Sequence, residues 1–287
     1  MLREFLTQYV GLFIVIFLVT AMFSLGLDLT VRQIIEPLKN KRLVATAMLT
    51  NAVVVPLLAF ALTYVIPMHD GFRIGIILYA LAAGTEGGPK FVQIVKGNAA
   101  FALGLLVLLL TFTVVFMPIV LSFAIGDFDF PRGELAVKLL ILVALPIGLG
   151  LLLNDKAKPL ADKLNPIMHR LSMIFLWTVF FILIYVFYGD IISLQGGALL
   201  AGLAFFVLAF MAGYFSGGPR WQDRRALGIM TFARNGSIAM MIARQVFTDD
   251  PKVLVIATVM AAGSVIGAVL IVVLMGRSVP ESESTAA

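Results

Sequence analysis

Cysteine is absent from the 287 residues, which excludes disulfides and thiolate chemistry. Histidine is nearly absent: His69 and His169 stand far apart in the chain and form no ligand pair for zinc or haem. Charge is scarce, with Asp, Glu, Lys and Arg making up 13% of residues, too little to cover a water-soluble domain of this length. No serine, histidine and carboxylate set converges by pattern. No glycine-rich loop closes on the Lys-Ser/Thr of a phosphate cradle. These gaps argue against an enzyme and against any cofactor, and leave a secondary transporter, a channel or a sensor. No small-residue cleavage site follows the first apolar run, Tyr9 to Leu29, so that run reads as a spanning helix rather than a removable leader.

What the chain does have is hydrophobic length. It is 61% hydrophobic with a mean hydropathy of +1.05, and the apolar residues fall in blocks near the twenty or so that cross hydrocarbon as a helix. The blocks predict nine spans near 9–29, 42–66, 71–95, 99–125, 133–153, 167–188, 196–215, 224–247 and 251–275. The formal charge of +5 does not point to nucleic acid, because the basic residues cluster in alternate loops. Arg32, Lys39, Lys41 and Arg42, then Lys156, Lys158 and Lys163, then Arg220, Arg224 and Arg225 share one side with Lys96 and Arg277. The opposite loops hold Asp70, Asp127, Asp129, Glu134, Asp190, Asp249 and Asp250. Positive-inside counting puts the N-terminus outside and the C-terminus in the cytoplasm of a multi-pass membrane protein.

Two spans carry breaks. Gly84, Gly87, Gly88 and Pro89 crowd into the third, and the run Ala233-Arg234-Asn235-Gly236-Ser237 interrupts the eighth. Proline removes a donor and glycine frees the backbone, and backbone released from a helix has to face protein or a wet cavity, not lipid. The breaks fall at the third position of two four-span groups that enter the membrane in opposite senses. This predicts inverted repeats with crossing discontinuous helices, a transporter layout. The expected organisation is an external segment 1–8, a first repeat 9–125, a connecting helix with loops 126–166, a second repeat 167–275 and a cytoplasmic tail 276–287.

Buried charge coincides with both breaks. Glu86, Lys90 and Arg234 each lie inside an apolar span, where a lone charge costs several kcal/mol or neutralises. On a continuous helix Glu86 and Lys90 would face one another, and Arg234 offers a two-pronged carboxylate grip. The plain alternative is an internal salt bridge that locks the broken helices. The three charges sum to positive, which favours a small organic anion as substrate. Asn235, Asn51, Thr85, Thr231 and Ser237 add neutral groups for substrate or ion binding. Asn98 reads as a helix cap, and Arg244 as a snorkelling outer anchor.

The order of motifs resembles the bile acid:sodium symporter (BASS) family. Met22-Phe23-Ser24-Leu25-Gly26-Leu27-Asp28-Leu29 is similar to its Met-Phe-Gly-Leu-Gly-Leu signature. Gly87-Gly88-Pro89 through Lys96-Gly97-Asn98-Ala99-Ala100 resembles its glycine-rich crossover and turn, and Leu145-Pro146-Ile147-Gly148-Leu149-Gly150 its connecting helix. Ala233-Arg234-Asn235-Gly236-Ser237-Ile238-Ala239 resembles its second crossover. The resemblance implies an all-α BASS/NhaA-like fold and a bacterial-type member in the plasma (inner) membrane. The family often has ten helices, of which this chain is expected to lack the first.

The family couples organic-anion uptake to two sodium ions, and most of the implied ligands are missing here. Its Ser-Asn pair falls on Gly88 and Pro89 or one residue later, its next-helix Ser and Thr on Ala102 and Leu106, its glutamate on Met230 and its glutamine on Arg234. A helix-2 glutamine falls on Asn51, and the crossover asparagine remains as Asn235. Sodium is therefore not expected at the family sites, while proton coupling through Glu86 stays open. Two alternatives remain: a sodium-coupled bile-acid-like symporter using shifted or backbone ligands, and a transport-inactive sensor of an organic anion. The oligomeric state is open, a monomer included.

Overall fold

The computed structural model describes residues 2–124, 132–192, 194 and 196–276. The acidic positions Asp127 and Asp129, Arg277 and the tail beyond it lie outside these residues. Everything described is helix and connection, apart from one isolated bridge. In chain order the helices are α1 (Leu2–Asp28), α2 (Val31–Ile35), α3 (Lys41–Leu49), α4 (Val55–Val65), α5 (Asp70–Leu81), α6 (Gly88–Ile94), α7 (Ala99–Ala124), α8 (Arg132–Leu139) and α9 (Leu145–Lys156). They continue with α10 (Lys158–Val186), α11 (Tyr188–Ile192), α12 (Gly196–Ser216), α13 (Trp221–Phe232), α14 (Gly236–Val246) and α15 (Pro251–Gly276).

Among the described residues, seven continuous helices are long and apolar enough to cross a membrane. Two of them carry a π-helical turn, Thr50–Val54 between α3 and α4 and Leu140–Ala144 between α8 and α9. Each turn stands just ahead of a proline, Pro56 or Pro146. The ring would collide with the carbonyl four residues back, and the wider turn gives that carbonyl room. The predicted spans 71–95 and 224–247 are each split, into α5 with α6 and α13 with α14.

Packing groups the helices into two layers. In one, α1 lies against α9 and α10. In the other, α5 packs on α15 and α4, α12 on α13, and α14 on α15. The first layer depends on a close backbone approach: a Cβ on Gly26 would stand 2.3 Å from the Ile147 carbonyl oxygen, and one on Gly150 2.6 Å from that of Phe23. At the adjoining helix ends Asn154 Nδ2 donates to Leu29 O (2.7 Å), Ser24 Oγ to Asn165 Oδ1 (2.8 Å) and Asn165 Nδ2 to Asp28 (3.2 Å). The segments around Gly26 and Gly150, far apart in the chain, thus share one contact.

Candidate functional site

The two breaks meet. Ala83 and Arg234 form an antiparallel bridge, and Asn235 N–H donates to Ala82 O at 2.7 Å. Leaving a helix frees carbonyls, and the free ones are answered from the other segment or from a neighbour. Asn235 Nδ2 donates to Gly84 O (2.9 Å), and Thr113 Oγ1 to Ala83 O (3.0 Å). Gly84 sits at φ +87°, where a side chain would be strained, and a Cβ there would press on Leu110 at 3.1 Å. Asn235 also caps α14: its Oδ1 accepts from Ile238 N–H (3.1 Å) and Ser237 Oγ (2.5 Å). One asparagine therefore holds both broken segments, and its carbonyl oxygen is already used.

A second tie joins the broken helices at the membrane face where α13 begins. Asn98 caps α7 by accepting from Phe101 N–H (3.0 Å) and donates to the buried Asp223 (2.7 Å). Arg225 Nη1 donates to Val95 O at 2.7 Å, with the guanidinium 4.6 Å from the Trp221 ring centre. Arg225 is thus a buried strut between α13 and the end of α6, rather than the solvent-facing loop charge that its spacing suggests.

Beside the crossing, between it and α1, α10 and α15, lies a cavity of about 480 Å³. Its walls are apolar, from Phe17, Phe91, Met173, Leu176, Trp177 and Phe180. Its polar groups gather at the crossing: Thr85, Glu86, Arg234, Asn235 and Ser237, joined by Thr258 and Ser264 of α15. Gly87 and Gly236, at the starts of α6 and α14, border it too, so N-terminal helix ends with their partial positive charge face this space.

Arg234 is 1% exposed, and none of its three guanidinium nitrogens has a hydrogen-bond partner among the described residues. The buried Tyr79 hydroxyl lies beside Ser264 and the Arg234 backbone. Glu86 is half-buried, and its carboxylate accepts from Asn235 Nδ2 at 3.4 Å.

Lys90 departs from expectation. It is exposed and does not border the cavity, and among the described residues it forms no ion pair with Glu86. The reason is the break: Glu86 stands in non-helical backbone and Lys90 in the first turn of α6, so their four-residue spacing does not put them on one helix face. Among the described residues the charged side chains that border the cavity are Glu86 and Arg234, and Lys90 acts on Glu86 only from outside it.

Asn51 and Thr231 are buried in the same layer but away from the cavity. Asn51 Nδ2 donates to Ala47 O (2.8 Å) and Thr231 Oγ1 (3.3 Å), while its Oδ1 has no partner among the described residues. Gly88 and Pro89 are buried on the far side of the break, where a Cβ on Gly88 would meet Met230 Sδ at 2.6 Å. Arg244 does not snorkel: its Nη2 donates to Thr7 O of α1 at 3.2 Å. Among the described residues no three His, Asp or Glu side chains gather as a metal site. Sequence reasoning missed Tyr79, Ser264, Trp177 and Phe180, whose types are ordinary in spans and whose convergence depends on how the layers pack.

Residues 15–194 match the model of the Sodium Bile acid symporter family. The chain is 26% identical over 232 residues to a probable sodium/metabolite cotransporter, BASS3, chloroplastic, of Arabidopsis thaliana, covering 78% of this chain and 54% of that protein. It is 22% identical over 269 residues to the probable chloroplastic cotransporter BASS2 of Oryza sativa subsp. japonica, covering 91% and 64%. It is 25% identical over 150 residues to YocS of Bacillus subtilis, an uncharacterized sodium-dependent transporter, covering 52% and 47%. The chain spans about half to two thirds of the length of these relatives.

Proposed function

The chain belongs to the sodium bile acid symporter family, and from that premise we propose that it carries a small organic anion across the membrane by alternating access around the crossing. The observation that carries this reading is Arg234: a buried guanidinium at the cavity's polar end, with no acceptor among the described residues. A carboxylate there would satisfy it with two charge-assisted hydrogen bonds. The helix N-termini at Gly87 and Gly236 favour the same sign of ligand.

Coupling follows from Glu86. A substrate carboxylate and Glu86 would share one apolar cavity with a single guanidinium, and like charges so placed disfavour joint ionisation. Anion entry and protonation of Glu86 are then linked, which makes the carrier a proton–anion symporter. Of the positions to which the resemblance assigns sodium ligands, Gly88, Pro89, Ala102, Leu106 and Met230 offer no side-chain oxygen, while Asn51 and Asn235 keep one. Around this site we assign nine spans, with inverted repeats over 9–125 and 167–275, the N-terminus outside and the C-terminus inside. The tie between the two breaks and the charge bias of the loops support that assignment.

A second reading is favoured by one atom. Asn51 Oδ1 is buried without a partner beside Thr231, a place where a cation would find oxygen ligands, and the relatives' names point to sodium. The test is uptake of radiolabelled monocarboxylates into proteoliposomes under separate proton and sodium gradients. Proton-driven uptake that is indifferent to sodium and lost in Arg234→Ala supports the first reading. Sodium-driven uptake lost in Asn51→Leu replaces it with the second. No uptake by folded protein rejects both.

A further inference from the structure

The cavity's rim includes side chains on the bundle's outer surface. On α10, Trp177 borders it while 55% exposed, on the stripe that continues through Ile174 and Phe181. On α15, Ile266 borders it while 63% exposed, next to Val265. A side chain that both lines a cavity and lies on the bundle's outer stripe marks an opening rather than a closed wall. The contacts between α10 and α15 are sparse beside those of α1 with α10 or α5 with α15.

Depth fixes what lies outside that opening. Trp177 is about 14 Å along α10 from its end at Val186, and Val265 about 21 Å along α15 from its start at Pro251, at 1.5 Å per residue. A hydrocarbon core is about 30 Å thick. The gap therefore opens near the bilayer midplane, facing acyl chains rather than water. The lining grades from the exposed Trp177 and Ile266 to the half-buried Glu86 and the buried Arg234. That gradient fits a molecule with an apolar body and one anionic end.

We propose that the α10–α15 gap is a lateral portal, and that its occupant is a single-chain amphiphilic carboxylate whose head reaches Arg234 while its body lies between Trp177 and Ile266 and extends toward the membrane. The inference rests on the anion reading of the crossing and adds to it the route and the shape of the ligand. A small water-soluble acid has no use for such an opening; an acid already dissolved in the membrane enters through it without crossing water. The guanidinium gives the head a fixed anchor, and the apolar walls keep the chain out of water at a benefit of about 0.8 kcal/mol per buried methylene.

The test uses the two tryptophans. In Trp221→Phe, which keeps a ring beneath Arg225, Trp177 is the sole emitter and stands at the mouth. The protein is placed in phosphatidylcholine nanodiscs and titrated with 12-bromododecanoate, whose bromine quenches indole on contact. The expected result is saturable quenching that dodecanoate relieves and dodecanol at equal membrane content does not. Affinity should fall roughly tenfold or more in Arg234→Met, as a lost charge-assisted hydrogen bond requires, and recover in part in Arg234→Lys. Linear quenching that neither dodecanoate nor Arg234→Met alters would mean the gap holds only bilayer lipid, and would overturn the portal. If short carboxylates still show Arg234-dependent uptake in that case, the transporter reading stands and the portal alone fails. Loss of both signals in folded protein removes both. The dodecanoate and dodecanol arms need no change at Arg234, so they decide the matter even if that variant folds poorly.

Discussion

At the scale of single residues, Arg234 holds a charge that the fold does not repay. Its three nitrogens are buried without acceptors, and such a group costs about 1–3 kcal/mol, more when charged. Arg234→Met keeps the bulk and removes the charge. The melting temperature of the purified protein should rise by several degrees while anion uptake falls to background. A drop in stability would show that the guanidinium serves the fold instead. Glu86 makes the opposite kind of prediction. Wild-type uptake should accelerate as external pH falls, because protonation of Glu86 accompanies anion entry. Glu86→Gln should show no such acceleration but should still exchange labelled for unlabelled anion, since its amide mimics the protonated acid. Counterflow and net uptake measured side by side separate the two.

Between elements, the crossing and the glycine contact carry the load. Asn235 donates across the crossing to Gly84 O and caps α14 through its Oδ1. Asn235→Ala leaves these partners buried and unpaired, at about 1–3 kcal/mol each. Asn235→Asp should be worse despite its matching shape, because an oxygen then faces both the Gly84 carbonyl and the Glu86 carboxylate. Thermal melts of the two variants, compared at one pH, check the order. Gly150→Leu places a side chain where a Cβ alone would stand 2.6 Å from Phe23 O. Backbone cannot yield as a flexible side chain does, so the loss should be about 3 kcal/mol, the upper end of ordinary overpacking, and visible as a fall in folded yield and melting temperature.

For the whole molecule, alternating access requires the layer of α1, α9 and α10 to move against the layer that holds the crossing. Contact between them is made partly by α1 with α14, where a Cβ on Gly11 would lie 3.4 Å from Arg244 Cγ. The chain contains no cysteine, so a disulfide between Gly11→Cys and Arg244→Cys would form on a clean background. Oxidation should stop uptake and reductant should restore it. Undiminished uptake in fully cross-linked protein would show that these layers do not separate at α1 and α14 during transport.

The sequence by itself determined what is periodic or local. Apolar runs of spanning length mark the helices, and the Gly and Pro clusters mark where α5 and α6, and α13 and α14, part company. Glu86 and Arg234 stand out because charge inside an apolar run is costly wherever the chain goes. What only the tertiary structure decided is which of these groups share a space. Lys90 reads as a partner of Glu86 only while the helix is taken as continuous; once it breaks, four-residue spacing says nothing about direction. Arg225 reads as a loop cation until Val95, from another part of the fold, accepts its hydrogen bond, with Trp221 one turn back on α13 beneath the guanidinium. Trp177 and Ser264 carry no local signal at all, since an aromatic or a serine in a span is ordinary. Ser264 meets the crossing through the packing of α14 on α15, and Trp177 because two layers pack at a particular offset, which depends on long-range contacts between them such as Gly11 of α1 against Arg244 of α14 and which no local window of sequence contains.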